Sequence, residues 1–195
     1  MKALTYPFTK AAIGDLRVGD TVRLSGLVFT GRDRFHRSLA EGGACPVDLR
    51  DGALFHCGPI VLRQGSEWVV KAAGPTTSIR QEPYMAAIIR RYGVRVIIGK
   101  GGMGDATRRA CEEIGCIYVQ LVGGAAALAA GHVAKVGAVH FLREFGAAEA
   151  VWELVLRDLE GVVTMDAHGG SLHDDIARRA SAALCRLLSA CGRSS

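Results

Sequence analysis

Residues 94–121, VRVIIGKGGMGDATRRACEEIGCIYVQL, constrain the fold more than any other stretch. A β-branched run ends at Gly99, a glycine turn follows, a helical segment runs from Asp105 to Gly115, and a second apolar run begins at Cys116. A small-residue helix, AAALAAGHV, and a further strand, AVHFL, continue the alternation. Strands separated by helices read as crossover units, so this half predicts parallel pairing in an α/β core of two or three layers. Upstream, YMAAIIRRYG (84–93) reads as a helix stopped by Gly93 at the C′ position, and Asp105 reads as the N-cap of the next helix.

The first 80 residues have another rhythm. DTVRLSGLVFTG (20–31) is a strand with a bend at Gly26, RDRFHRSLAEGG (32–43) is a helix, and ALFHCGPIVLRQG and EWVVKAAGP are two strands about a Gln-Gly-Ser turn. Near the end, EAVWELVLRDLEG fits either helix or strand, with Trp152, Leu154 and Leu156 alternating, and GVVTMDAHG is strand-like. DDIARRASAALCRLLSACG (174–192) is an amphipathic helix. The expected organisation is one β/β/α domain over 1–195: a β-rich part to about residue 80, an α/β part over about 81–175, then the terminal helix.

Composition removes several classes. The formal charge of +5 comes from dispersed basic residues without a run of five or six, so no nucleic-acid partner is expected and anionic metabolites fit better. The longest apolar stretch, LVGGAAALAAGHVA, is too short and glycine-rich to span a bilayer, and the N-terminus lacks a signal-peptide pattern. The six cysteines (Cys45, Cys57, Cys111, Cys116, Cys185, Cys191) contain no CxxC and no zinc spacing. They read as reduced, mostly buried thiols of a cytoplasmic protein, with nothing in their spacing to hold an iron–sulfur cluster.

Four stretches carry chemistry. GKGGMG after a strand and before a helix is an anion cradle, with Lys100 adding a charge; it is neither a Walker A nor a convincing dinucleotide fingerprint. AAGPTTSIRQEPY (72–84) holds three successive hydroxyls and Arg80. Ser78 with Gln81 fits a capping box, but Pro83 favours a helix beginning at that proline, which leaves 75–82 as a loop able to aim a hydroxyl and a guanidinium at one ligand. In TGRDRFHRSL, Asp33 fits a helix cap with His36 one turn on. In MDAHGG, Asp166 and His168 stand two apart, a conceivable metal pair without an evident third ligand, so no metal is assigned.

Taken together, TGRDRFH, FHCGPIV, GPTTSIR, GKGGMG and DAHG, in this order and spacing, resemble the β subunit of the two-subunit class I fumarase and L-tartrate dehydratase group and the C-terminal domain of single-chain class I fumarases. The resemblance covers about residues 5–175, and the pair GPTTSxR and GKGGM is its specific part. It implies a swivelling β/β/α domain, similar to the mobile domain of aconitases, and a hydro-lyase that reversibly dehydrates a small hydroxy dicarboxylate. It also implies an α subunit that carries the [4Fe–4S] cluster, in a hetero-oligomer such as a tetramer of two α and two β chains. On that pattern Thr76 is the base and Lys100 its catalytic companion. Arg32, Arg80, Thr77, Gly101 and Gly102 bind substrate, and Asp33 and His36 support the site or an interface; Thr77 and Ser78 compete with Thr76 as the base. One departure stands out: this chain reads Arg80-Gln81-Glu82 where family members commonly have arginine, methionine and an acid. The competing readings are a stand-alone nucleotide- or phosphate-binding α/β module, resting on GKGGMG, and a non-catalytic scaffold subunit.

Overall fold

The structure, a computed structural model, describes residues 1–191, with side chains through Leu188. In chain order the elements are β1 (Lys2–Thr5), α1 (Lys10–Ile13), β2 (Thr21–Thr30), α2 (Asp33–Ala40), β3 (Ala53–Phe55), β4 (Ile60–Gln64), β5 (Glu67–Ala72), a 3-10 turn (Ser78–Gln81), α3 (Glu82–Tyr92), β6 (Val96–Gly99), α4 (Asp105–Ile114), β7 (Ile117–Gln120), α5 (Ala126–Gly131), β8 (Val133–His140), α6 (Leu142–Phe145), β9 (Val151–Met165) and α7 (Leu172–Cys191).

The strands β2, β3, β6 and β7 are parallel neighbours. β9 runs antiparallel to both β7 and β2, so the pairing closes into a ring, β2-β3-β6-β7-β9 and back to β2. β1 lies parallel to the start of β2, β8 is antiparallel to the first half of β9, and β4 with β5 forms a separate hairpin. β9 serves two partners because it is long, with fifteen residues, and breaks its register in step with theirs. The bend expected at Gly26 is present: the β2–β9 register shifts between Leu24 and Gly26, whose φ is 98°. A Cβ there would stand 2.7 Å from Cβ of Tyr6, so the close approach also demands glycine.

Alternation along the parallel strands sorts the core into two layers. Ala53, Phe55, Val96, Ile98, Ile117 and Val119 face Trp152, Leu154 and Leu159 of β9. The intervening Leu54, Ile97 and Tyr118 face the helices, against Met85, Ile88, Ile89, Ala110 and Cys111. The result is a mixed α/β architecture in which helices cover one face of the parallel strands and antiparallel strands cover the other.

Three expectations require correction. β8 does not continue the parallel series; β9 occupies the remaining edge of β7, so β8 pairs antiparallel with β9 instead. The run at 53–65 is two strands, because the chain leaves the ring after Phe55 and enters the hairpin at Ile60. Asp105 is the first residue of α4, and Gly104 occupies its N-cap without a side-chain cap bond. The segment left open between helix and strand is β9, as the alternation of Trp152, Leu154 and Leu156 allowed. No helix among the described residues is long and apolar enough to cross a membrane. The terminal helix begins two residues before the expected start, at Leu172, and its expected end at 192 lies outside the described residues.

Candidate active site

In α/β folds, open or closed, ligands bind beyond the carboxyl ends of the parallel strands, where loops diverge. Here β2 delivers Gly31-Arg32-Asp33 at that edge, β3 delivers His56-Cys57-Gly58, and β6 delivers Lys100-Gly101-Gly102. The hydroxyl loop is wedged between the ends of β3 and β6. Pro75 bridges to Cys57, and the Thr76 amide donates to the His56 carbonyl (2.7 Å). Thr77 bridges to Lys100, whose carbonyl accepts from the Ser78 amide at 3.0 Å. Residues far apart in sequence are thus fixed side by side through backbone hydrogen bonds, which do not depend on side-chain identity.

The three hydroxyls differ sharply. Ser78 is fully buried; its Oγ accepts from the Tyr118 hydroxyl (2.8 Å) and contacts Nδ1 of His56 (2.9 Å). It is not the cap of a Ser-x-x-Gln box, since the Gln81 side chain donates to Asp33. Thr76 and Thr77 are half-buried, and neither hydroxyl makes a hydrogen bond among the described residues. Lys100, also half-buried, makes no ion pair among them. Gly101 and Gly102 both adopt left-handed backbone (φ 77° and 74°). A Cβ on Gly102 would strike the His173 ring at 2.6 Å, whereas one on Gly101 would meet only the Thr77 methyl at 3.8 Å.

Two of the predicted cations are held by carboxylates. Arg80 reaches Oδ2 of Asp33 at 2.7 Å, and the Gln81 amide donates to Oδ1 of the same carboxylate at 2.6 Å. Asp33 therefore does not cap α2, whose N-cap is Arg32; it braces Arg80. Gln81, the departure from methionine, is buried and supplies the second hydrogen bond of that brace. Arg32 approaches Glu149 at 3.4 Å, and its guanidinium passes so near Gly58 that a Cβ there would lie 2.6 Å from Nη1. His36 is completely buried below these groups, with Nδ1 2.8 Å from the Arg32 carbonyl.

The anion-cradle reading of the α4 N-terminus is corrected. The Glu82 carboxylate already occupies it, accepting from the Gly104 amide (2.8 Å), the Thr107 amide (3.2 Å) and the Thr107 hydroxyl (2.6 Å). An acid from α3 thus meets the helix dipole from outside. Asp166 and His168 also serve the fold. The Asp166 carboxylate accepts from the amides of Val18, His168 and Gly170, and Nε2 of His168 lies 2.7 Å from the Gly14 carbonyl. Among the described residues no three potential ligands gather for a metal ion. One cavity of about 450 Å³ separates Ser66–Val70 from Val133–Gly137, and a smaller one of about 160 Å³ abuts the hydroxyl loop at Pro75, beside Leu121 and Val122.

His56, Tyr118, Gln81 and Glu82 were not predicted as site residues. His56 lies inside FHCGPIV, so its motif was visible without its role; Tyr118 reads only as a core strand residue. Burial depresses both imidazoles, His36 to about 4 and His56 well below its ordinary value, so both are neutral at pH 7. A folded-state pKa below the unfolded 6.5 gives stability that is present above pH 6.5 and lost as pH falls towards 4. His36 alone accounts for about 3 kcal/mol of that loss. Urea midpoints measured from pH 7.5 to 4 should fall over that window, and His36→Gln should flatten the profile; an unchanged slope would refute the assignment.

The family model described as Fumarase C-terminus matches residues 2–176. A Geobacillus stearothermophilus protein named after class I fumarate hydratase is 48% identical over 174 residues, which cover 89% of this chain and 34% of that protein. The L(+)-tartrate dehydratase subunit beta of Escherichia coli K12 is 38% identical over 173 residues, covering 88% of this chain and 86% of the subunit. A Methanocaldococcus jannaschii protein named after the same subunit is 36% identical over 176 residues, covering 88% and 90%. The chain thus spans about a third of the length of the first relative and most of the other two.

Proposed function

Because the chain belongs to the Fumarase C-terminus family, we propose that it is the β-type subunit of a cytoplasmic hydro-lyase that reversibly dehydrates a small hydroxy dicarboxylate of the malate or tartrate type. In this reading residues 1–195 form one swivelling β/β/α domain, similar to the mobile domain of aconitases, that closes over substrate held partly by an α-type subunit. The observation that carries it is the wedge of Thr76 and Thr77 against the Lys100 turn, where two hydroxyls and an ammonium stand without a protein partner among the described residues.

The chemistry follows from charge. Removing a proton from a carbon beside a carboxylate spreads extra negative charge over that carboxylate, and fixed cations already in place lower the barrier. Lys100 and Arg80 supply such cations. Asp33 holds the Arg80 fork oriented, and its own partial exposure lets a substrate carboxylate share the guanidinium. Arg32 anchors the second carboxylate, and the Gly101 and Gly102 turn lets the ligand approach the backbone. Thr76 takes the proton at Oγ1, with Lys100 favouring the alkoxide. Ser78 is the weakest of the three hydroxyls for this role, since its oxygen is buried and engaged by Tyr118 and His56.

Among the described residues no three potential ligands gather for the [4Fe–4S] cluster that the family implies. Burial pushes the Cys57 thiol up to about 12, and the buried Cys116 thiol is raised as well, so neither favours a thiolate ligand. When bound on the α-type subunit, the cluster would supply the Lewis acid for the departing hydroxyl. The nucleotide-module reading loses its footing, since Glu82 fills the helix N-terminus it requires.

Co-expression with an α-type subunit bearing three suitable cysteines, followed by dehydration assays over a panel of hydroxy diacids, tests the reading. Activity is expected only from the pair. Tight binding of ATP or NAD by the isolated chain, or an inactive iron–sulfur complex, would overturn it.

A further inference from the structure

Beneath the strand-end site lies a line of buried polar groups whose proton positions follow from their partners. The Arg32 carbonyl accepts only, so Nδ1 of His36 carries its proton and the Nε2 of that ring is a bare acceptor. At the other end, the Tyr118 hydroxyl donates to Oγ of Ser78 at 2.8 Å. The one proton of Ser78 then goes to Nδ1 of His56, so Nε2 of His56 is an N–H donor. Among the described residues neither Nε2 has a hydrogen-bond partner, though both imidazoles are fully buried and packed edge to face with centroids 4.9 Å apart. A donor and an acceptor, each orphaned, thus belong to adjoining rings.

The same edge holds two further atoms without a hydrogen bond, Arg32 Nε, which faces the Glu149 carboxylate at 3.4 Å, and Gln81 Oε1; Thr164 Oγ1 is the fifth buried polar side-chain atom without a hydrogen-bond partner among the described residues. Buried polar groups are rarely left unpaired, and a buried water takes two to four such partners. We propose that one buried water lies between Nε2 of His36 and Nε2 of His56 and closes a continuous hydrogen-bonded chain from the Tyr118 hydroxyl to the Arg32 carbonyl. Because the Ser78 amide also donates to the Lys100 carbonyl, that chain ties the glycine turn and the hydroxyl loop to the arginine corner, the three segments that carry the proposed substrate groups. His36, His56, Ser78 and Tyr118 are then positioning residues: they touch no substrate but fix the separations among the groups that do.

The kinetic part rests on the proposed hydro-lyase reading, and the structural part does not. Nitrogen-15 NMR of the histidine rings near pH 7 should show His36 protonated at Nδ1 and His56 at Nε2; the opposite tautomer on either ring overturns the chain. A crystal structure should show one water within hydrogen-bond distance of both Nε2 atoms, and density without it, or a direct ring-to-ring bond, overturns the water. In the α–β complex, Ser78→Ala and Tyr118→Phe should each lower kcat about 10- to 100-fold, as small misplacements of reacting groups do, while KM changes little. Wild-type kcat in both variants overturns the positioning role. A wild-type complex inactive on every diacid refutes the hydro-lyase reading instead, and the NMR and crystal measurements still decide the chain of hydrogen bonds.

Discussion

Replacing Lys100 by alanine is expected to lower kcat/KM of the α–β complex by about 10²- to 10³-fold while leaving the fold intact. The two halves of that expectation have separate grounds. Lys100 makes no ion pair among the described residues, so its removal strands no carboxylate, and its backbone bonds to Thr77 and Ser78 survive any side chain. Its ammonium is therefore available to meet charge that develops in the transition state, and a group of that kind acts on rate rather than stability. Arg80→Ala should cost a similar factor, but it also deprives Asp33 of its ionic partner and so affects the brace as well as the ligand. Turnover across the diacid panel, with thermal melts of each variant, checks both. Wild-type turnover in Lys100→Ala and Arg80→Ala would end the site assignment, whereas lost activity with a collapsed melt would show a structural cause.

Much of this was legible from local pattern. The order of strand, glycine turn and helix over residues 94–121 identified β6, α4 and β7, and Gly93 marked the end of α3 as its left-handed φ of 68° requires. What local pattern lacks is information on partners more than a hundred residues away. The strand character of β9 was readable from its alternation, but not its closure of the ring between β7 and β2, because either edge satisfies the same period of two. The misplaced β8 follows from that gap: the βα alternation promises a parallel neighbour only where an edge remains open.

Within the site, motif spacing located the segments but not the state of each side chain. Thr76, Thr77 and Ser78 are equivalent as letters; tertiary packing buries one against Tyr118 and His56 and leaves the other two half-exposed. Asp33 looked like a helix cap because caps are local, whereas its partners Arg80 and Gln81 lie on a separate loop. Glu82 is the clearest instance. No sequence rule connects an acid on one helix to the N-terminus of the next, yet the packing of α3 on α4 puts it there and fills the α4 N-terminal end of the cradle that GKGGMG advertised.

Gly99→Ala is the most damaging single methyl that the site predicts. Gly99 is buried at the end of β6, and a Cβ there would fall 1.9 Å from Oγ of Ser78 and 2.8 Å from the Tyr118 hydroxyl. Its backbone lies outside the left-handed region, so the cost is steric and falls on the Tyr118–Ser78–His56 chain. Overpacking of this kind costs about 1–3 kcal/mol, and displacement of the hydroxyl loop should reduce kcat about 100-fold. The double variant Ser78→Ala/Gly99→Ala separates the two effects. With Oγ gone, the 1.9 Å clash disappears and the remaining contacts are the Tyr118 hydroxyl at 2.8 Å and the Ser78 Cβ at 3.3 Å, so part of the stability should return. Activity should not, because the methyl of alanine cannot hydrogen-bond to Tyr118 and His56 and so leaves the hydroxyl loop unheld. Recovery of both melting temperature and turnover in the double variant would mean that the hydroxyl only fills space, and the hydrogen-bonded link from the glycine turn to the histidines would have no part in the reaction.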